Sequence, residues 1–123
     1  VKTILVVDDS STLRMSMTSI LSKAGYRAEE ACSAENALEK LRSGLRPNLI
    51  ITDLNMPGMD GIGLIRQVRK LPGVRFTPIL MLTTESQQSK RQEARSAGAT
   101  GWLVKPVAAE QLLQVIRQVV PGA

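Results

Sequence analysis

The feature that most constrains this chain is an alternation. Short runs rich in Ile, Val and Leu take turns with segments whose apolar residues recur at helical spacing, and glycines punctuate the joins. The runs are Thr3–Asp8, Tyr26–Ala31, Leu49–Asp53, Ile79–Leu82 and Gly101–Val104. After the first, Ser10, Ser11 and Thr12 offer N-cap oxygens to a helix carrying Leu13, Met17, Ile20, Leu21 and Ala24, closed at Gly25. Ser33 caps a second helix with Ala37, Leu38 and Leu41, closed at Gly44. The turn-rich stretch Asn55-Met56-Pro57-Gly58-Met59-Asp60-Gly61 leads into a third, with Leu64, Ile65, Val68 and Leu71, ended by Pro72-Gly73. A fourth spans Gln87–Ala97 before Gly98; the last carries Leu112, Ile116, Val119 and Val120 and stops at Pro121-Gly122. Strands apolar on both faces, each followed by a helix, predict an α/β fold: a five-stranded parallel sheet, doubly wound, with helices on both faces. The 123 residues hold no repeat, linker or low-complexity segment, so 1–123 reads as one domain.

Open sheets of this kind bind ligands at the carboxyl ends of their strands, near the point where strand order reverses. The strand ends are therefore the place to look for chemistry. The first run ends in Asp8-Asp9, the third in Asp53, the fourth in Thr83-Thr84 and the fifth in Lys105-Pro106. Three of the chain's four aspartates stand there. If the first and third strands are neighbours, as in the order 2-1-3-4-5, Asp8, Asp9 and Asp53 converge. Such carboxylates repel one another unless a cation intervenes, and a hard oxygen-seeking ion such as Mg²⁺ suits them. Lys105 would add a second positive charge, leaving the site ready for a phosphoryl group. Taken singly, each group has a plainer reading: aspartate pairs form turns, threonines cap helices, and Lys-Pro is an ordinary loop.

Composition removes most competing chemistry. The chain has no histidine, hence no histidine ligand, general base or catalytic triad. The single cysteine, Cys32, excludes intrachain disulfides and Cys-based zinc sites. The glycines at 58, 61 and 63 match neither dinucleotide nor P-loop spacing. A net charge of +5 raises the question of nucleic acid, yet the basic residues are scattered and only Tyr26, Phe76 and Trp102 are aromatic. No nucleic-acid partner is expected. No apolar run has the length of a membrane span and the first residues lack the pattern of a signal peptide, so a cytoplasmic protein without membrane contact is expected.

With the strand ends placed, the chain resembles the receiver domains of two-component response regulators, from Ile4 to Val119. The resemblance is most specific at Val7-Asp8-Asp9-Ser10, Thr52 to Gly61, Leu82-Thr83-Thr84-Glu85 and Trp102-Leu103-Val104-Lys105-Pro106. Among receivers it looks most like stand-alone chemotaxis regulators of the CheY type, which Asn55 and Glu85, two residues beyond Asp53 and Thr83, also match. The resemblance implies the flavodoxin-like strand order 2-1-3-4-5. It implies a role for each strand end: Asp53 as acceptor of a phosphoryl group from a histidine kinase, and Asp8, Asp9, Asp53 and the backbone carbonyl of Asn55 as holders of Mg²⁺, or Mn²⁺ in its place. Thr83 would donate its hydroxyl to the phosphoryl group and Lys105 would pair with another of its oxygens. Pro106 would follow a cis peptide from Lys105. Thr83 and Trp102 would form the switch, while Asn55 and Glu85 would govern dephosphorylation. Two positions depart from the pattern: Leu54 stands where an aromatic follows the acceptor, and Val107 where a phenylalanine is common after Lys-Pro.

The expected protein is a stoichiometric phosphoacceptor and not a turnover enzyme. It would be a monomer whose target is another protein, such as the flagellar motor switch. A phosphorelay shuttle, or the receiver part of a larger regulator, is the nearest alternative. An aspartyl-phosphate phosphohydrolase would want Asp-x-Asp after the first strand, and here the aspartates adjoin. The fourth helix is an oddity: it offers only Ala94 and Ala97 to a core. That predicts weak docking and a movable element. Its Lys90, Arg91 and Arg95, together with Trp102, form the expected partner surface.

Overall fold

The computed structural model describes residues 1–120 and 122. Pro121, expected to stop the last helix, lies outside the described residues. The elements run β1 (Thr3–Val7), α1 (Ser11–Lys23), β2 (Arg27–Ala31), α2 (Ala34–Arg42), β3 (Leu49–Thr52), α3 (Gly61–Val68), β4 (Ile79–Thr83), α4 (Gln88–Ala97), β5 (Gly101–Val104) and α5 (Ala109–Val119). The strands form one parallel sheet in the order β2-β1-β3-β4-β5, as expected.

Because side chains alternate across a strand, each strand feeds two cores. Leu5, Val7, Ile50, Ile79 and Met81 pack on one side with Ala37, Leu38, Leu41, Leu64, Ile65 and Ala94 from α2, α3 and α4. Ile4, Val6, Leu49, Ile51, Leu80 and Leu82 pack on the other with Leu21 of α1 and Leu112 and Ile116 of α5. Each large apolar side chain taken from water contributes about 1.5–3 kcal/mol, so the two layers dominate the stability of the sheet.

Burial on both faces holds for β1, β3 and β4 alone. The edge strands β2 and β5 are partly exposed, which accounts for the polar Arg27-Ala28-Glu29-Glu30 stretch. Two caps fall on the expected hydroxyls: Ser10 Oγ accepts from Leu13 N and Ser33 Oγ from Asn36 N; a third, at α3, is the carboxylate of Asp60, whose Oδ1 accepts from Gly63 N. The expected face of α1 needs correction. Leu21 is buried and Met17 and Ile20 are half-buried, but Leu13 is 45% exposed and Ala24 is the exposed C-cap. The first turns of this helix overhang an open cleft and not the core.

Helix α4 is held at its end. The Arg69 guanidinium donates from Nε and Nη2 to the Gly98 carbonyl at 3.2 and 2.7 Å, and from Nη1 to the carbonyls of Arg75 and Thr77. Its start, at Gln87, has no side-chain cap. Burial lowers the Arg69 pKa from the ordinary arginine value. Among the described residues no helix is long and apolar enough to cross a membrane.

Candidate functional site

Sheet register builds the site. Val7 of β1 pairs with Thr52 of β3, so the residues that follow, Asp8 and Asp53, emerge side by side on adjacent strands. Lys105, just past β5, reaches back over β4 and places Nζ 3.1 Å from Asp8 Oδ2 and 3.2 Å from Asp53 Oδ2. The three side chains are only 9%, 15% and 18% exposed. The second oxygens are also engaged: Asp8 Oδ1 accepts from Ser10 N at 2.9 Å, and Asp53 Oδ1 from Leu54 N at 2.6 Å and Asn55 N at 3.4 Å. Burial works against the Lys105 charge, but the hydrogen bond to Asp8, the fields of both carboxylates and the hydrogen bond to Asp53 together raise its pKa. Two carboxylates and one ammonium leave one net negative charge.

Gly61 is required here by close approach. A Cβ at this position would overlap the Asp53 carbonyl oxygen, which packs against the start of α3. The Lys105-Pro106 peptide is cis, as expected.

The expected convergence of three carboxylates resolves into a pair. Asp8 turns in to Lys105, whereas Asp9, the next residue along, is exposed. Among the described residues no group of three carboxylate, histidine or cysteine side chains is close enough to hold a metal ion. The donor set nevertheless fits Mg²⁺, which keeps several waters and needs only one or two carboxylates. Asp8 and Asp53 are hard oxygen donors with an unbalanced charge.

The remaining expected residues do not all gather at this pair. Thr83 ends β4, wholly buried, with Oγ1 accepting from Glu85 N at 3.3 Å; Thr84 is exposed and lines the cleft with Asp53 and Lys105. Neither threonine caps α4, which starts four residues later. Asn55 is exposed and Glu85 half-buried. Trp102 is half-buried on β5, against the core that holds Ala94. With Arg91 and Arg95, both exposed, it lines a groove between α4 and β5. Lys90 is not a free charge: its Nζ lies 3.6 Å from Glu93, which also meets Arg66.

Two contacts were not legible as site features in the sequence. Arg14 Nη1 donates to the Asp8 carbonyl at 2.6 Å while its Nε pairs with Glu30. Glu35, in the first turn of α2, accepts from Met59 N at 3.0 Å, within the loop that follows Asp53. Gly58, at φ 78°, makes room for that carboxylate. The Met59 bond and a bond to its own backbone N–H hold the Glu35 pKa below its ordinary value. Helical spacing gives no sign of either contact, because both partners lie on separate elements joined only by the fold.

Residues 4–117 match the family model of the response regulator receiver domain. This chain is a response regulator receiver domain. The receiver is 39% identical over 117 residues to the chemotaxis protein CheY of Pseudomonas aeruginosa, covering 94% of each chain. Its fold superposes on chemotaxis protein CheY4 of Vibrio cholerae with a TM-score of 0.92 at 44% identity, over 97% of this chain and 98% of that one. It also matches the receiver domain of a Pseudomonas aeruginosa sensor histidine kinase, at TM-score 0.87 and 25% identity over 96% of each chain. That structure has a magnesium ion coordinated in its active-site cleft.

Proposed function

We propose that this receiver, a single domain over 1–123, is a phosphorylation-driven switch that accepts a phosphoryl group from a histidine kinase on Asp53. The observation that carries the reading is the Asp53 carboxylate held at a strand end by Lys105, which also holds Asp8. An Asp53 oxygen attacks phosphorus as the bond to the donor's imidazole nitrogen breaks. Lys105 then pairs with one phosphoryl oxygen and the Thr83 hydroxyl donates to another. Asp8, Asp9, Asp53 and the Asn55 backbone carbonyl would hold Mg²⁺, or Mn²⁺ in its place. The bound ion supplies positive charge against the phosphoryl oxygens. Asn55 and Glu85 flank the path of the water that later removes the group, and so set the lifetime of the signal.

The receiver assists its own phosphorylation and dephosphorylation but turns over no substrate. The phosphorylated form engages a protein target through α4, β5 and α5, with Arg91, Arg95 and Trp102 central, and Lys90 contributing once released from Glu93. Similarity to chemotaxis regulators supports the flagellar motor switch as that target and a cytoplasmic monomer as the working form. Acetyl phosphate with Mg²⁺ should add one phosphoryl group per chain by intact mass, and Asp53→Asn or chelation should abolish it. Undiminished labelling of the Asn variant would sink the assignment.

The likeness to a kinase-borne receiver favours a second reading, a relay element that passes the group on to another histidine. Transfer from the phosphorylated chain to a histidine phosphotransfer domain would support it.

A further inference from the structure

The cleft that bears Asp53 continues past the carboxylates. It runs between α1 and the loop after β5, and the whole cleft, carboxylates included, has a volume of about 450 Å³. Its floor is Val6, Ile51 and Leu82 of the sheet, all buried. Its walls include Met17 and Ile20 of α1 on one side and Val107 on the other, and its mouth carries Asp8, Asp53 and Lys105. The space exists because the facing positions are short. Ser16 and Val107 both line it and neither reaches far, so the overhanging turns of α1 stay half-solvated.

Size and lining suit a ligand. An apolar cavity of about 150 Å³ already admits benzene, and small-molecule sites span about 300–1,000 Å³ with an apolar body and a few polar groups at one end. Charge selects the head group. At the mouth two carboxylates face one ammonium, and a single added positive charge brings the trio to neutrality. A neutral head would leave the imbalance in place, and an anionic head would increase it.

We propose that this cleft binds a small amphipathic cation, a primary amine on a short alkyl or aryl body. The ammonium sits against Asp8 and Asp53, and the body lies among Met17, Ile20 and Val107. On the reading of Asp53 as the metal-assisted phosphoacceptor, such an amine competes with the divalent cation for the same carboxylates and so slows phosphorylation.

Methionine methyl NMR separates this site from the rest of the molecule. Met17 lines the cleft, whereas Met81 is buried in the core on the opposite sheet face. Titrated without metal, benzylamine should shift the Met17 methyl saturably, at one ligand per chain, and leave Met81 in place. Benzyl alcohol and benzoate should bind at least about tenfold more weakly, a difference of about 1.4 kcal/mol. Val107→Phe should fill the cleft and abolish the Met17 response. Ser16→Leu, from the α1 wall of the cleft, should do the same. Both variants should still bind Mg²⁺ and accept phosphate from acetyl phosphate.

No saturable Met17 shift, equal affinity for all three probes, or undiminished binding in the folded filled variants would overturn the proposal. Amine affinity unchanged by Mg²⁺, in protein that binds Mg²⁺, would overturn the placement of the ammonium. Loss of phosphorylation chemistry from the unmodified chain would instead count against the proposed function, because the metal-free titration stands without it.

Discussion

The indole Nε1 of Trp102 donates to the backbone carbonyl of Glu85 across 3.1 Å. One side chain of β5 thereby ties down the loop that runs from Thr83 to α4. Trp102→Phe keeps the packing and removes the donor. Amides 85–88 should then exchange faster, while labelling of Asp53 by acetyl phosphate persists. Phosphorylation of the unmodified chain should change Trp102 fluorescence. Unaltered exchange in the Phe variant would show that the bond holds nothing in place.

Lys105→Ala would leave Asp8 and Asp53 adjacent, poorly solvated and without their shared cation. A loss of about 1–3 kcal/mol in urea unfolding is expected, larger without Mg²⁺ than with it. The pH sign follows from the raised Lys105 pKa. Its contribution is fully present below the ordinary lysine value of 10.5 and is lost as pH rises through the higher folded-state value. Unfolding curves of the native chain and the Ala variant should therefore converge as pH rises into strong alkali.

Glu35 holds the loop that follows Asp53 through its bond to Met59 N. Glu35→Ala removes the acceptor of Met59 N and should weaken Mg²⁺ binding roughly two- to fivefold, less than the 10–100-fold typical of a direct outer-shell partner. Because its folded pKa is depressed, this support is present above the ordinary value of 4.5 and is lost as pH falls through the lower one. Metal affinities at neutral pH that match between variant and native chain would remove the residue from the account.

Helix α4 buries Ala94 alone, where α3 buries Ile62, Leu64, Ile65 and Val68. At about 1.5–3 kcal/mol per large side chain, its docking is several kcal/mol weaker. Amide exchange should rank residues 88–97 as the least protected helix, with protection rising or shifting on phosphorylation. Protection equal to that of α3 in both states would defeat the expectation.

Much of this was legible in the sequence, and for a physical reason. Apolar runs such as Leu49-Ile50-Ile51 declare a buried strand, and an aspartate directly after one is carried to the sheet edge whatever the loops do. Asp8, Asp53 and Lys105 could therefore be named from strand ends alone. Orientation was less accessible. Asp8 and Asp9 are neighbours in sequence, yet one is buried against Lys105 and the other lies in solvent. Contacts such as Arg14 with the Asp8 carbonyl depend on how helices seat on the sheet, which periodicity does not specify. Likewise Leu13, at helical spacing, reads as core but stands beside an opening created by short side chains on other elements.

The clamp of Arg69 on Gly98 makes α4 a lever. Its far end is pinned by two donors to one carbonyl, and its near end, beside the loop from Thr83, is uncapped. A ten-residue helix is about 15 Å long, so a tilt of about 10° about that pivot, with the Trp102–Glu85 bond released, would carry the uncapped end through about 2.5 Å and the pinned end almost nowhere. A push at the strand ends would thus emerge as an angle, greatest in the first turn of the helix and least at its last.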